Sequence, residues 1–360
     1  MAIRGNGCVG CAGRGVVKSF VQKFLQISLF FVGIAFAGAT FASLDSGATA
    51  RVSSMQQIRL GGVEQAILVR GENSANPVLL YLHGGPGVAE MPFSYKNAEL
   101  ERDFVVVHWD QRGAGKSFRP GTPGMNIRQF VDDTIELSRA LRAEFGGRKI
   151  VLVGHSWGSL VGALAVAREP QLYRAYVGIG QLVNIARSER EMDLRARIVA
   201  RERGDEYALR KLQAIGPYPY ADHTQERKVN AIQKRLMGTV PHDMTPIHFA
   251  GLALVSPYYT PADYARLLRG IVFSGKSLER EIYAADLFSA VPEIDVPVYL
   301  LEGRHDTVLS PIVAADYFEK LRAPRGKHLV WFEQSNHWPQ LEEREKYRAT
   351  LRSILAETAK

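Results

Sequence analysis

Seven stretches of this sequence share one pattern: a short run of apolar residues, rich in Val, Leu, Ile or aromatics, closed by Gly, Pro or Asp. They are AILVR (66–70), PVLLYLHGG (77–85), DFVVVHWDQRG (103–113), KIVLVGHS (149–156), RAYVGIG (174–180), VPVYLLEGRHD (296–306) and KHLVWFEQSNH (327–337). Most lack the alternation of a half-exposed strand, so they need cover on both faces, as strands of a parallel sheet do. The first run pairs with the segment ending near Leu60 across Gly61–Gly62. Helical stretches separate the runs, IRQFVDDTIELSRALRAEF from Ile127 and LVGALAVARE after Ser156. Strand–helix alternation of this kind predicts an α/β fold with a mostly parallel central sheet flanked by helices.

The pattern breaks between about residues 183 and 288, where the sequence is charged, helical in flavour and without strong strand runs. We read a core over 55–182, a helical cap over 183–288 inserted above the end of the sheet, and the rest of the core over 289–356. The charged run 187–203 reads as a solvated helix face.

The chain of 360 residues carries a net charge of +8. Half of that excess lies in Arg4, Arg14, Lys18 and Lys23, ahead of the first acid, Asp45. No later basic run has interleaved aromatics, which argues against nucleic acid as a partner. Residues 24–42 are apolar apart from Gln26, Ser28 and Thr40, with Lys18 and Lys23 before them and small residues at their end. This is the pattern of an export signal, with Ala37–Ala39 or Thr40–Ala42 as cleavage sites, or of an uncleaved membrane anchor. Either way the catalytic part is expected outside the cytoplasm, periplasmic, secreted or anchored. Both cysteines, Cys8 and Cys11, fall in that leader, so the remainder has no disulfide and no thiol nucleophile.

The chemistry centres on Gly154-His155-Ser156-Trp157-Gly158, a G-x-S-x-G sequence between an apolar run and a small-residue helix. A sharp strand-to-helix turn would lift Ser156 Oγ above the sheet and aim the Trp157 N–H at a developing oxyanion. A serine nucleophile needs a base and a group that orients it. His337 and Asp306 each stand directly after a strand run, in the order Ser, Asp, His. Asp295 and Glu302 are rivals for the acid, one before its strand and one inside it; His155 and His305 are expected to point away, with His155, His83, Gly84 and Pro86 bordering the site. The loop His83-Gly84-Gly85-Pro86-Gly87 offers a second oxyanion donor, Gly85 with Gly84 as the alternative. The stretch Asp110–Ser117 ends in Gly-Lys-Ser, but a phosphate-binding loop needs glycine where Asp110 stands, so Asp110 and Arg112 are read as bordering the site and fixing loops. This chemistry calls for no metal and no cofactor.

Taken together, HGGPG, WDQRGAGKS, GHSWGS, GRHD and NHWP resemble the α/β-hydrolase superfamily, and within it the prolyl aminopeptidase (proline iminopeptidase) branch, over roughly residues 55–355. The resemblance implies acyl transfer on a small ester, amide or short peptide: attack by Ser156, proton transfer by His337, orientation by Asp306, and release by water. A carboxylesterase or lactonase, or a non-catalytic small-ligand binder on the same scaffold, are the other readings. Two features depart from the branch. It reads GGSWGS where this chain has His155, and it uses cap glutamates to hold a free amine, whereas Glu189, Glu191, Glu202 and Glu206 read here as surface charges.

Overall fold

The structure, a computed structural model, describes residues 50–220, 223–237, 244 and 246–358. Residues 24–42, Cys8 and Cys11 lie outside the described residues. All the runs named above form strands, and the segment before Gly61 forms another: β1 (Val52–Leu60), β2 (Val63–Gly71), β3 (Val78–Leu82), β4 (Val105–Asp110), β5 (Ile150–His155), β6 (Tyr173–Ile179), β7 (Val298–Gly303) and β8 (Lys327–Phe332). They build one sheet in the order β1-β2-β4-β3-β5-β6-β7-β8. The β1–β2 and β2–β4 pairs are antiparallel and every later pair is parallel.

Two-residue periodicity divides the strand side chains between two cores. Leu80, Leu82, Leu152 and Leu300 pack with Phe130 and Leu137 of α1 (Ile127–Glu144) and with Leu160 of α2 (Trp157–Arg168). Leu79, Tyr81, Val151, Val153 and Leu301 face the other way, against the C-terminal helix. Because both faces are covered, the central strands carry no polar side-chain alternation.

Between β6 and β7 run α3 (Ile185–Glu202), α4 (Glu206–Ile215), α5 (His223–Met237), α6 (Pro246–Leu254) and α7 (Pro261–Ala284). Ala196, Ala200, Ala208, Leu212, Val229 and Leu236 give α3–α5 a small core of their own. Asn184 caps α3 by accepting from the Arg187 N–H, and Thr260 with Asp263 closes a capping box on α7. Helix α7 is tied to the main core through the Asp110–Ser117 loop. Lys116 Nζ lies 2.6 Å from Asp263, Tyr259 donates to Asp110, and Ser274 Oγ donates to the Gly113 carbonyl at 3.0 Å. The chain ends with α8 (Pro311–Lys320) and α9 (Arg344–Glu357).

Candidate active site

Parallel strands bring the loops at their carboxyl ends together along one edge of the sheet. Ser156 follows β5 there, Asp306 follows β7 and His337 follows β8. Ser156 sits at φ 53°, ψ −116°, and among the described residues it alone has a positive φ without being glycine. Such a conformation costs on the order of 1–3 kcal/mol and persists only where its surroundings impose it. Those surroundings explain the flanking glycines. A Cβ on Gly154 would stand 2.3 Å from the Gly158 carbonyl oxygen, and one on Gly158 would stand 2.2 Å from that of Leu82. The turn is held by Ser156 N–H donating to Ile179 and by Ser159 N–H donating to the Ser156 carbonyl.

His337 Nδ1 is 2.7 Å from Asp306 Oδ2, and both side chains are buried. Asp306 Oδ1 accepts from the N–H groups of Val308 and Leu309 at 2.7 and 2.9 Å, which fixes the carboxylate plane. His337 Nε2 and Ser156 Oγ are buried and make no hydrogen bond. The rival acids are engaged elsewhere: Glu302 accepts from the Gln181 N–H, and Asp295 pairs with Arg325. Burial lowers the pKa of His337 below its ordinary value of 6.5, against the opposing pull of Asp306. A general base must be neutral, and protonation sets in as pH falls through its pKa. Turnover is therefore expected to persist below pH 6.5 and then fall with a single-proton acid limb. A kcat/KM profile checks this, and a midpoint above 6.5 would contradict the burial argument.

The Gly84 N–H donates to Glu90 Oε1 at 2.9 Å, which leaves Gly85 as the loop's candidate donor beside Trp157. Pro86 follows Gly85 through a cis peptide. His83 Nε2 accepts from the Gln111 N–H at 3.2 Å and its Nδ1 lies 2.8 Å from the Gly84 carbonyl, so Nδ1 carries the proton. Burial pushes the His83 pKa down to about 4, keeping it neutral. Gln111 joins two loops: its amide donates to the His83 carbonyl and accepts from Trp157 Nε1 at 2.9 Å. Burial raises the Asp110 pKa to about 7, against the Tyr259 and Lys116 hydrogen bonds. Arg112 is bidentate to Asp133 of α1 at 2.7 and 2.9 Å and also donates to the Pro123 and Leu60 carbonyls. Both fix loops: Arg112 bonds to α1 and the β1–β2 turn, Asp110 to Tyr259 and the Lys116 N–H, and Gln111 between them is the residue that touches the serine turn.

Two expectations change. His155 does not point away from the site: its ring centroid is 4.9 Å from that of His337, and its Nδ1 lies 2.7 Å from Glu90. Nor is the 187–203 run solvated throughout, because Glu189 and Asp193 are buried on α3, while Glu202 and Glu206 are exposed. Among the described residues no group of three or more His, Cys, Asp or Glu could hold a metal ion.

The chain is similar to known proteins in sequence and in fold. Probable aminopeptidase YbaC of Bacillus subtilis is 32% identical over 308 residues, spanning 83% of this chain and 95% of that protein. A proline iminopeptidase of Clostridium botulinum is 26% identical over 272 residues, spanning 75% and 86%. The esterase RhEst1 from Rhodococcus superposes with a TM-score of 0.56 at 19% identity, covering 84% of this chain and 98% of its own, a likeness of fold. The exported or anchored location expected from residues 24–42 is corrected by these matches. The two sequence relatives are peptidases whose names designate no export or membrane attachment, and no helix among the described residues is long and apolar enough to cross a membrane. The family model for the alpha/beta hydrolase fold matches residues 77–344. A strained serine after β5, an aspartate after β7 and a histidine after β8 are what that fold places at its sheet edge, and this chain belongs to the alpha/beta hydrolase fold family.

Proposed function

We propose that the protein is a serine hydrolase that releases an N-terminal residue from a small peptide or arylamide through an acyl-enzyme. The observation that carries the acyl-transfer chemistry is the strained Ser156 turn beside the buried Asp306–His337 pair. Ser156 Oγ attacks the substrate carbonyl carbon while its proton passes to His337 Nε2. The N–H groups of Gly85 and Trp157 receive the oxyanion. His337 then gives its proton to the leaving amine as the C–N bond breaks. Water, deprotonated by His337, attacks the acyl-enzyme and frees Ser156.

The preference for an amine-bearing substrate is supported by the sequence relatives and by the cap. Glu189 on α3 and Glu279 on α7 are both buried, and Tyr283, one turn beyond Glu279, donates to Glu189 at 3.3 Å. Ser188 accepts from the N–H of Ser310, which binds this end of α3 to the loop that carries Asp306. A buried carboxylate favours a cationic group that reaches it, and a peptide's ammonium supplies one. Hydrolysis of a proline arylamide, assayed beside short p-nitrophenyl esters, tests the reading. Glu189→Gln is expected to raise KM for the arylamide about 30-fold, roughly 2 kcal/mol of lost charge pairing, and to leave ester hydrolysis within about threefold. Ester turnover with no arylamidase activity would replace the peptidase reading with an esterase.

A further inference from the structure

We infer that Glu90 and His155 form a buried charged pair that positions the reaction's three loops against one another, the oxyanion loop, the serine turn and the loop of His337. The inference rests on the acyl-transfer reading above.

The hydrogen-bond inventory fixes the protons. Glu90 Oε1 accepts from the Gly84 N–H at 2.9 Å and faces His155 Nδ1 at 2.7 Å. Glu90 Oε2 accepts from Tyr81 Oη at 2.7 Å and from Gln340 Nε2 at 3.1 Å. The contact between Glu90 Oε1 and His155 Nδ1 holds one proton, and the three further donors on the carboxyl, Gly84, Tyr81 and Gln340, stabilise the ionised form and so place that proton on the ring. On the far side of the ring, His155 Nε2 lies 2.8 Å from the His337 carbonyl oxygen, which can only accept. Both ring nitrogens of His155 therefore carry hydrogen, and the pair is an imidazolium against a carboxylate. Burial raises the pKa of Glu90, but the charge of His155 and the Gly84 and Tyr81 hydrogen bonds outweigh it and hold it at about 2.

A buried ion pair is poor value for stability, since well-packed apolar residues of equal volume serve as well or better. What this pair supplies is connection. Its contacts join positions 65, 182 and 250 residues apart in the chain. They reach the peptide preceding the Gly85 donor, the residue preceding the nucleophile, and the backbone of the base. A shift on the order of 1 Å among these groups costs about 100-fold in rate. Neither residue touches the reacting atoms, so both are positioning residues.

The groups facing the pair and His337 are Tyr81, His83, His108, Tyr347 and Asp306. Among these charges, His155 disfavours and Glu90 favours protonation of His337. The full chain is tested with a fluorophosphonate probe and with the hydrolytic assay, comparing wild type, Glu90→Gln, His155→Gln and the double variant. Each single variant is expected to lower kcat and the labelling rate about 100-fold, with KM within about threefold. The double variant should be no worse than the poorer single one, as for residues acting as a unit. His155→Gln should move the acid limb of kcat/KM to higher pH, because the Glu90 charge then faces His337 unbalanced; Glu90→Gln should not. Folded variants with wild-type rates and an unmoved limb would overturn the inference. If a variant fails to fold, nitrogen NMR of wild type at pH 7.5 decides: two protonated ring nitrogens on His155 support the pair and a neutral ring refutes it. Absence of labelling in wild type would instead remove the nucleophile reading, an outcome distinct from all of these.

Discussion

Replacing Ser156 by alanine is expected to lower turnover about 10⁵-fold, equivalent to roughly 7 kcal/mol of transition-state stabilisation, and to abolish fluorophosphonate labelling. The expectation follows from what the site holds besides Ser156. Among the described residues its turn is flanked by no cysteine, and the neighbouring Ser159 spends its hydroxyl on the Ser156 carbonyl and on the Leu182 N–H. Ser159 is thus not poised to take over. Residual rate in such a variant comes from the oxyanion donors and substrate binding. The fold should survive, because Ser156 Oγ makes no hydrogen bond whose loss would be felt. Alanine also inherits the positive φ unchanged, so its melting temperature should stay within about 3 °C of wild type, an effect below about 1 kcal/mol. Glycine at the same position should melt no lower, since it occupies that φ without steric cost. Turnover of Ser156→Ala within tenfold of wild type would show that the attacking group lies elsewhere.

The parts of this site legible in the sequence are those whose constraints are local. A strand followed by Gly-x-Ser-x-Gly and a small-residue helix reports its own geometry, because the glycines are demanded by carbonyl oxygens on the neighbouring strand and one helical turn away. Asp306 and His337 were legible for a similar reason: each directly follows an apolar run, and position after a strand puts a residue on the sheet's functional edge. Glu90 was not. It is an acid inside the apolar stretch Val88–Phe93, which is a signal of burial, but its partner lies 65 residues on and no spacing connects them. The charge run 187–203 misled for a different reason. Ile185, Ser188, Glu189, Met192, Asp193, Ala196 and Ala200 form a buried helical stripe, yet three of its members are polar, so a count of charge registers only the exposed face. Glu189 and Asp193 are recognisable from their phase on the helix, given that Ile185 and Ala196 set it.

Asp306→Asn should cost about 10⁴-fold in kcat while changing volume hardly at all, and the geometry says why. Asp306 offers one oxygen to two backbone donors, Val308 and Leu309, and the other to His337 Nδ1. An asparagine must place its carbonyl oxygen where the two N–H groups converge, since an amide NH₂ there would meet two donors. Its NH₂ is then forced to face His337 Nδ1. A ring nitrogen opposite a donor must accept, so the proton of neutral His337 moves to Nε2, the atom that has to receive the proton of Ser156. The imidazole remains in place and becomes the wrong tautomer for a base. The carboxylate that balanced the imidazolium during proton transfer is lost as well. Asp306→Ala lacks the misdirecting amide and leaves the ring free to take either tautomer, so it should retain more activity than Asp306→Asn despite the larger loss of contacts. Single-turnover labelling with a fluorophosphonate, followed over time, separates the two variants. An asparagine variant that labels as fast as the alanine variant would mean that tautomer control is not how Asp306 serves the reaction.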